Sequence, residues 1–375
     1  MTGTESPAPL PDERRAQVVE LLRQRGVVRV TDLAEELDVS AITIRRDIAL
    51  LASQGVIRRV RGGAALHGGV LAGEPDGAAA PQPVPEESGG DLRPLTIGIV
   101  VPSLDYYWPD VIRGVREAAA AAGARIVLRG GSYQAADERR QLSWLVEFVG
   151  VDGLLVAPTT TGDDGEELVR WLRQSPVPVV LVERAATVGP YQEAMESVVS
   201  DHVLGAAMAV RHLAALGHRR VGVITTVQSP TAPHVRRGWR QACQELGLDL
   251  DGTPDVTTVD QRDPGWAAAL DGILDACLAS GTTALLVHSD PEAISLVERC
   301  QERGIRVPGD LGVVTYDDEV AELCDPPLSA VRPPKAAIGR AAFSLLSARL
   351  ADQDPHRPAH RMVVEPRLII RSSSA

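Results

Sequence analysis

The sequence predicts an α/β protein with two folding units, a small helix-rich domain at the N-terminus and a larger domain built on parallel sheets. At 375 residues, the chain exceeds what one hydrophobic core usually organises. From Leu95 onward, short β-branched runs alternate with amphipathic helical stretches, which is typical of a doubly wound parallel sheet. Residues 67–94 contain almost no large apolar side chains, so we predict a flexible linker between the two units.

The charge of the chain is unevenly distributed. The net charge is −12, yet residues 11–66 carry ten Arg against eight acidic residues, which leaves that segment at +2. Between Ser40 and Gly63, five Arg accompany a single acidic residue, Asp47, for a local charge of +4. Because salt screens charges beyond about 10 Å, the local charge decides which partner is attracted. A compact basic segment of this kind suits the phosphates of DNA.

Several classes of protein are excluded by what the sequence lacks. The N-terminus has no basic segment followed by an apolar run, and no apolar stretch reaches the ~18 residues of a membrane span, so we predict a cytoplasmic protein without a membrane partner. The single lysine, Lys335, follows Pro334, which rules out a phosphate-binding G-x-x-x-x-G-K-[ST] loop. Without H-E-x-x-H or G-x-S-x-G motifs, we expect no enzyme and no cofactor. Wide spacing predicts reduced core thiols, and no metal site, for the four cysteines Cys243, Cys277, Cys300 and Cys324.

The first three elements of the N-terminal unit follow from apolar spacing and capping residues. Val18, Leu21 and Leu22 share one face of a predicted helix over residues 12–25, which Gly26 ends. Thr31 and Ser40 can each N-cap a further helix, and residues 38–39 supply the turn between them. Two capped helices joined by a tight turn define a helix-turn-helix.

The helix after Ser40 carries the residues that would read DNA. Ile44, Ile48 and Leu51 repeat at helical spacing and should face the core. The outward positions are then Ile42, Thr43, Arg45 and Arg46. Arg can bond guanine, Thr can bond a base or a phosphate, and Ile can contact a thymine methyl group in the major groove. The alternative is a solvated charged face.

A basic hairpin follows this helix. Residues 56–60 read as a strand, and Arg61-Gly62-Gly63 makes a tight turn, so Arg58, Arg59 and Arg61 could contact phosphates as a wing. The run VTDLAEELDVSAITIRRDIALLASQGVIRRVRGGA resembles the DeoR-family winged helix. That resemblance implies a winged helix-turn-helix over residues 11–66, with Thr43, Arg45 and Arg46 in the groove and the three wing arginines on the backbone.

The larger unit resembles a different family. Its strand-like runs lie at residues 96–101, 124–128, 153–157, 177–182, 220–224, 284–287 and 312–315. The blocks TIGIVVPS, VDGLLVAP, SVVSDHVLGAAMAVRHLAALGHRRVGVI and VPGDLGVVTYDDEVAELCDPPLSAVRPP are similar to the effector domain of LacI/GalR repressors and periplasmic sugar-binding proteins. The resemblance implies a two-lobed, doubly wound periplasmic-binding-protein-like domain over residues 95–375. Lobe 1 would span about 95–199 and 329–352, and lobe 2 about 200–328 and 353–375.

Ligands of open α/β sheets bind at the carboxyl ends of the strands, and the sequence places polar and aromatic residues there. Aromatic rings can stack on a sugar, Glu183-Arg184 matches the family's Asp-Arg pair, and strand-end carboxylates accept hydroxyl protons. The predicted ligand residues are Tyr107, Trp108, Glu183, Arg184, Arg236, Asp290 and Asp317. Core packing for Trp108, a surface ion pair for Glu183-Arg184 and helix capping for Asp290 are the structural alternatives. Asp318, beside Asp317, is expected to cap the following helix.

Three positions depart from the family pattern, which leaves the effector's identity open. Val235 stands where the family often has Arg, with Arg236 as a substitute, while Ser289 replaces an Asn and Pro333 a polar residue. We predict a homodimeric, DNA-binding repressor of carbohydrate-metabolism genes, whose binding to a double-stranded operator is modulated by a sugar-like effector between its lobes. Release by an inducer is the default, and the sequence leaves activation and corepression open as alternatives. A sensor that only dimerises and a sugar-binding protein without DNA binding are the alternatives.

Overall fold

A computed structural model describes residues 11–25, 27–37, 39, 43–44, 47–48, 51, 57–60, 63–66, 93–131, 134–227, 229–259, 261–352, 354 and 356–374. These residues form a small N-terminal domain and two α/β lobes. No helix among them is long and apolar enough to cross a bilayer. All four cysteines are buried and free, as their spacing predicts.

The N-terminal domain has the predicted helix and hairpin pattern. Its elements are helices α1 (Pro11–Arg25) and α2 (Val30–Glu36) and strands β1 (Val27–Arg29), β2 (Ile57–Val60) and β3 (Gly63–Leu66). The strands form an antiparallel sheet in the order β1-β3-β2. Ile44, Ile48 and Leu51 are helical and buried against Val18 and Leu22, as their spacing predicts. The N-cap at Thr31 is wrong, because α2 already begins at Val30.

Lobe 1 is a parallel sheet covered on both faces by helices. The sheet order is β16-β10-β7-β6-β4-β5. The strands are β4 (Thr96–Val101), β5 (Arg125–Gly130), β6 (Gly153–Val156), β7 (Val179–Val182), β10 (Ser197–Ser200) and β16 (Arg361–Val364). The helices are α3 (Trp108–Ala121), α4 (Ala135–Trp144), α5 (Gly162–Arg173) and α10 (Lys335–Ala351). A π-helical turn (Leu145–Val149) extends α4, and β8 (Thr187–Val188) pairs with β9 (Glu193–Ala194) in a small hairpin.

Lobe 2 repeats the architecture with one antiparallel edge strand. The sheet order is β12-β11-β13-β14-β15-β17, and β17 runs antiparallel to β15. The strands are β11 (Val221–Thr226), β12 (Asp255–Thr258), β13 (Ala284–Val287), β14 (Gly312–Tyr316), β15 (Ser329–Arg332) and β17 (Arg367–Ile369). The helices are α6 (His202–Ala215), α7 (Ala232–Glu245), α8 (Trp266–Ser280), α9 (Asp290–Glu302) and a 3-10 turn (Ala321–Leu323).

The predicted boundaries between the lobes are wrong for two segments near the C-terminus. Residues 329–332, expected in lobe 1, form β15 in the lobe 2 sheet beside β14. Residues 361–364, expected in lobe 2, form β16 in the lobe 1 sheet beside β10. The residue pattern of such a short run predicts a strand, but it does not predict the strand with which that run pairs. The lobe of each run could therefore not be predicted from the sequence.

Close glycine contacts hold one helix pair together in each lobe. A Cβ at Gly114 of α3 would lie 2.0 Å from the carbonyl oxygen of Ala336 in α10, and a Cβ at Gly339 would lie 2.1 Å from that of Val111. In lobe 2, a Cβ at Gly238 of α7 would lie 2.1 Å from the carbonyl oxygen of Val203 in α6. Since α3 and α10 form part of the lobe 1 core, these glycines set the spacing of the helices over the sheet.

We expect Gly114→Ala to lower the free energy of unfolding by about 3 kcal/mol, because the added methyl group overlaps backbone that cannot move independently. The control is Gly272→Ala in α8, where no atom lies within 4 Å of the added Cβ and the exposed helix gains about 1 kcal/mol. Urea titrations of both variants test this. A Gly114→Ala variant as stable as the parent would contradict the proposed packing.

Candidate functional site

The predicted DNA-reading residues lie partly outside the described residues. Thr43 is half-buried in a helical segment, and Arg58 and Arg59 lie in β2 of the hairpin. Four of the predicted residues fall outside the described part of the chain: Ile42, Arg45, Arg46 and Arg61. Nearby, the buried carboxylate of Asp47 accepts a hydrogen bond from Arg14 Nε at 2.6 Å. This ion pair ties the segment that carries Thr43 to α1.

The loops that follow four strands meet between the two lobes. Tyr106 and Tyr107 follow β4, Glu183 follows β7, Asp290 follows β13 and Asp317 follows β14. Three of these residues have left-handed backbone, with φ of 58° at Tyr106, 54° at Glu183 and 95° at Asp317. Non-glycine residues rarely adopt this conformation, and where they do the site is often functional. The geometry therefore marks this cleft as the candidate ligand site.

Glu183 is held by hydrogen bonds from lobe 1 and lies close to a histidine of lobe 2. Its carboxylate accepts bonds from the backbone N–H and the hydroxyl of Ser200 at 2.8 and 2.7 Å, and from the hydroxyl of Tyr107. His202 Nε2 of lobe 2 lies 3.5 Å from Glu183 Oε2. Burial alone would raise the pKa of Glu183, but the contacts with His202, Ser200 and Tyr107 lower it to about 2. Glu183 is therefore an ionised, buried carboxylate at the floor of the cleft.

Asp317 has the opposite environment. It is 6 % exposed, and its carboxylate accepts no hydrogen bond from any described residue. Burial raises the pKa of Asp317 well above its usual range, and the negative charge of Asp290 raises it further, against the opposing charge of Lys335. The ammonium group of Lys335 donates instead to the backbone carbonyl of Asp317, at 2.6 Å, and to Glu319. Asp317 is thus a largely buried acid at the end of a strand, and no residue in the described part of the chain donates a hydrogen bond to its carboxylate.

The carboxylate of Asp290 is already engaged within lobe 2. It accepts hydrogen bonds from Thr315 Oγ1 at 2.9 Å and from the backbone N–H groups of Glu319 and Val320 at 2.6 and 3.0 Å. Ser289, not Asp290, caps α9 through a capping box with Glu292. Asp290 therefore fixes the loop that follows Asp317, and its backbone N–H donates to the hydroxyl of Tyr106 at 3.3 Å.

Trp108 and Arg184 lie together at the lobe 1 side of the cleft. Trp108 is 3 % exposed and belongs to the lobe 1 core, which is the packing role named above as its alternative. The guanidinium carbon of Arg184 lies 5.9 Å from the centre of the Trp108 ring, and Tyr107 packs edge-on against that ring at 5.6 Å. Arg184 also donates to the backbone carbonyl of Glu183 at 2.6 Å. Tyr106 and Tyr107 are thus the half-buried aromatic rings of the cleft.

Arg236 and Asp318 form ion pairs in place of the ligand contact and the helix cap that the sequence predicts for them. Arg236 bonds Asp255 at 2.7 Å and Thr257 at 3.2 Å on the outer side of α7, and it contacts none of the other predicted ligand residues. Asp318 does not cap a helix, because its carboxylate pairs with Arg332 at 2.5 Å and with Arg371 at 2.8 Å. Both side chains therefore have structural ion-pair partners.

Sequence reasoning missed a ring cluster on the lobe 2 side. The Tyr316 ring centre lies 5.8 Å from His202 and 5.6 Å from His288, and the His234 ring centre lies 6.4 Å from His202. Nδ1 of His288 is buried without a hydrogen-bond partner among the described residues. His288 directly follows β13 and His202 lies two residues after β10, so the strand-end rule could have found both.

We expect His288 to make the protein less stable in mild acid. Burial, and then the charge of His202, lower the pKa of His288 from 6.5 to about 4. The unfolded chain binds a proton below pH 6.5 that the folded chain excludes, so stability is lost as the pH falls, by about 2 kcal/mol between pH 7 and pH 5. Urea titrations should therefore give a smaller loss in His288→Phe, with the exposed His356→Gln as the control. An equal loss in parent and His288→Phe would refute this assignment.

Comparisons with known proteins agree with this division of the chain. Residues 14–68 match the DeoR-like helix-turn-helix domain, and residues 210–374 match the periplasmic binding protein-like domain. The transcriptional repressor PurR of Vibrio atlanticus is 28% identical over 283 residues, 74% of this chain and 80% of the relative. The repressor CytR of Escherichia coli is 28% identical over 282 residues, 74% of this chain and 79% of the relative. Among solved structures, a complex of the transcriptional regulator CelR with cellobiose is 26% identical, with a TM-score of 0.63 over 74% of this chain and 84% of the other.

Proposed function

Because the chain joins a DeoR-like helix-turn-helix domain to a periplasmic binding protein-like domain of the LacI type, we propose that it is a repressor of carbohydrate-metabolism genes whose operator binding responds to a sugar-like effector. The effector binds between the lobes, and lobe closure changes the arrangement of two DNA-reading domains in a cytoplasmic homodimer. The relatives named above are transcriptional regulators, so we assign the cleft to binding and not to catalysis.

The observation that carries the effector proposal is the carboxylate of Asp317. A largely buried carboxylate to which no described residue donates a hydrogen bond can accept hydroxyl groups of a ligand instead. A neighbouring pair of hydroxyls supplies two donors, which match the two oxygens of such a carboxylate. Asp317 therefore favours a polyhydroxylated ligand.

The aromatic residues of the cleft support the same class of ligand. Tyr106 and Tyr107 are half-buried beside the carboxylates, and an aromatic face packs well against the C–H face of a sugar ring. The similar CelR structure contains cellobiose. We accordingly propose a mono- or disaccharide, or a close derivative, as the effector.

Thermal denaturation of the full-length protein in the presence of cellobiose, glucose, galactose and ribose tests the proposal. A ligand that binds only the native state must raise the melting temperature, by an amount that grows with its concentration. We expect one sugar to do so and the others not. If no sugar or sugar derivative raises the melting temperature, the proposed effector class is wrong.

A second candidate function is a sensor domain that only dimerises. The engagement of two cleft carboxylates favours it, since Glu183 and Asp290 already accept hydrogen bonds from the protein itself. In that arrangement the DNA-binding domain would act without an effector. The same melting experiment separates the two functions, because a dimerisation domain gains no stability from any sugar.

A further inference from the structure

The side chain of Trp144 belongs to two hydrophobic clusters. It ends α4 and packs against the lobe 1 core around Leu142, Leu145 and Leu168. The same side chain packs against the core of the N-terminal domain, which includes Val18, Leu22 and Leu33. The DNA-reading domain therefore contacts lobe 1 directly at Trp144, besides being joined to it through the chain.

Lobe 1 fixes the orientation of this tryptophan. The guanidinium carbon of Arg129, in the edge strand β5, lies 4.6 Å from the centre of the Trp144 ring, and Arg129 Nε donates to Gln141 on α4 at 2.7 Å. The π-helical turn directly after Trp144 places Leu145 in the lobe 1 core. Single π-turns within helices are frequent at functional sites. Contacts within lobe 1 therefore fix the position of the Trp144 side chain.

The other end of the same helix contacts a loop at the carboxyl edge of the lobe 1 sheet. Glu138 is 1 % exposed and accepts hydrogen bonds from the backbone N–H and the hydroxyl of Thr159, at 2.8 and 3.2 Å. Thr159 lies in the loop that follows β6, at the carboxyl edge of the lobe 1 sheet. Burial raises the pKa of Glu138, against the hydrogen bonds from Thr159 and the charge of Arg184. One short helix therefore joins the carboxyl edge of the lobe 1 sheet, where the cleft loops begin, to the DNA-reading domain.

We propose that Trp144 is the docking point of the DNA-reading domain on lobe 1, and that α4 transmits the state of the cleft to it. The transmission rests on the function proposed above, whereas the docking does not. A ligand that moves the loop after β6 displaces Thr159, which is hydrogen-bonded to Glu138, and the resulting shift of α4 then alters the contact at Trp144. This route needs no rigid structure between residues 66 and 93.

Photo-crosslinking of the full-length protein tests the docking without DNA or effector. With p-benzoylphenylalanine in place of Trp144, we expect crosslinks to peptides within residues 11–51. The control is the same replacement of Trp171, which packs against the lobe 1 core but not against the N-terminal cluster. Absence of N-terminal crosslinks from position 144, or equal yields from both positions, would overturn the docking.

Trp144→Ala tests the transmission in a gel-shift assay with an operator fragment and the sugar that raises the melting temperature. We expect that sugar to change the operator affinity of the parent and of Trp171→Ala about tenfold, and that of Trp144→Ala less than twofold. A normal response in Trp144→Ala overturns the proposed route. Failure of the parent to bind DNA or sugar would instead reject the proposed function, and the crosslinks would still decide the docking.

Discussion

Replacing Asp317 by Asn is expected to abolish the response to the effector while it raises the stability of the ligand-free protein. The buried carboxylate has no hydrogen-bond donor among the described residues, and its pKa is raised well above the usual range. Asn has nearly the same side-chain shape as Asp, and its amide removes the cost of burying an ionisable group. Asn also tolerates the left-handed backbone at this position. Hydroxyl donors of a bound ligand stabilise the ionised form of Asp317, which offers two acceptor oxygens. The amide offers only one acceptor oxygen, so the ligand loses a bidentate contact. DNA binding should be unchanged.

The gain in stability of Asp317→Asn over the parent should increase as the pH rises. The folded chain retains a proton on Asp317 that the unfolded chain releases above its ordinary pKa of about 4. Stability of the parent therefore falls, through this group, as the pH rises above about 4, and Asp317→Asn removes that loss. Urea titrations should give a larger advantage for the variant at pH 7 than at pH 4.

The neighbouring residue provides the matched control. Asp318 carries the same side chain, but it is paired with Arg332 and Arg371. Asp318→Asn should lower stability by about 1–3 kcal/mol, because two guanidinium groups lose a charged partner. Its ligand response should persist. A stabilised Asp318→Asn, or an Asp317→Asn variant that still responds to the effector, would contradict the assignment of the two carboxylates.

Arg46→Ala is expected to weaken operator binding by about 1–3 kcal/mol, the range for a bidentate contact with a base. Arg46 lies outside the described residues, so this prediction rests on the sequence and on the match of residues 14–68 to the DeoR-like domain. Gel shifts at several salt concentrations measure the effect.

The hairpin arginines should behave differently from Arg46. If Arg58 contacts a phosphate, Arg58→Ala weakens binding to all DNA sequences alike and reduces the salt dependence by about one charge. Arg113→Ala, an exposed arginine of lobe 1, serves as the control for a lost positive charge. Operator affinity of Arg46→Ala equal to that of Arg113→Ala would remove Arg46 from the recognition surface.

Local pattern was enough to predict much of the fold. Ile44, Ile48 and Leu51 are buried because helical spacing determines which face of a helix points inward. Glu183 and Asp317 lie in one cleft because the carboxyl ends of parallel strands meet at one edge of each sheet.

What the sequence did not predict depends on contacts between distant segments. The donors to Asp290 are backbone groups of Glu319 and Val320, and no side-chain pattern reports their approach. Strands β15 and β16 are short enough to pair in either lobe, so their sheets follow only from the complete packing. Trp144 reads as an ordinary helical residue until the N-terminal domain is placed against it.

The most direct test of the account is a gel shift with the full-length protein and DNA fragments recovered by genome-wide mapping of its binding sites. The fragment that binds best is titrated with the sugar that raises the melting temperature. We predict that the complex forms at about 10 nM protein or less, the range of specific operator binding, and that this sugar releases the DNA in the parent but not in Asp317→Asn. Enrichment no higher than background at low salt, or a complex that no sugar alters, would contradict an effector-controlled repressor.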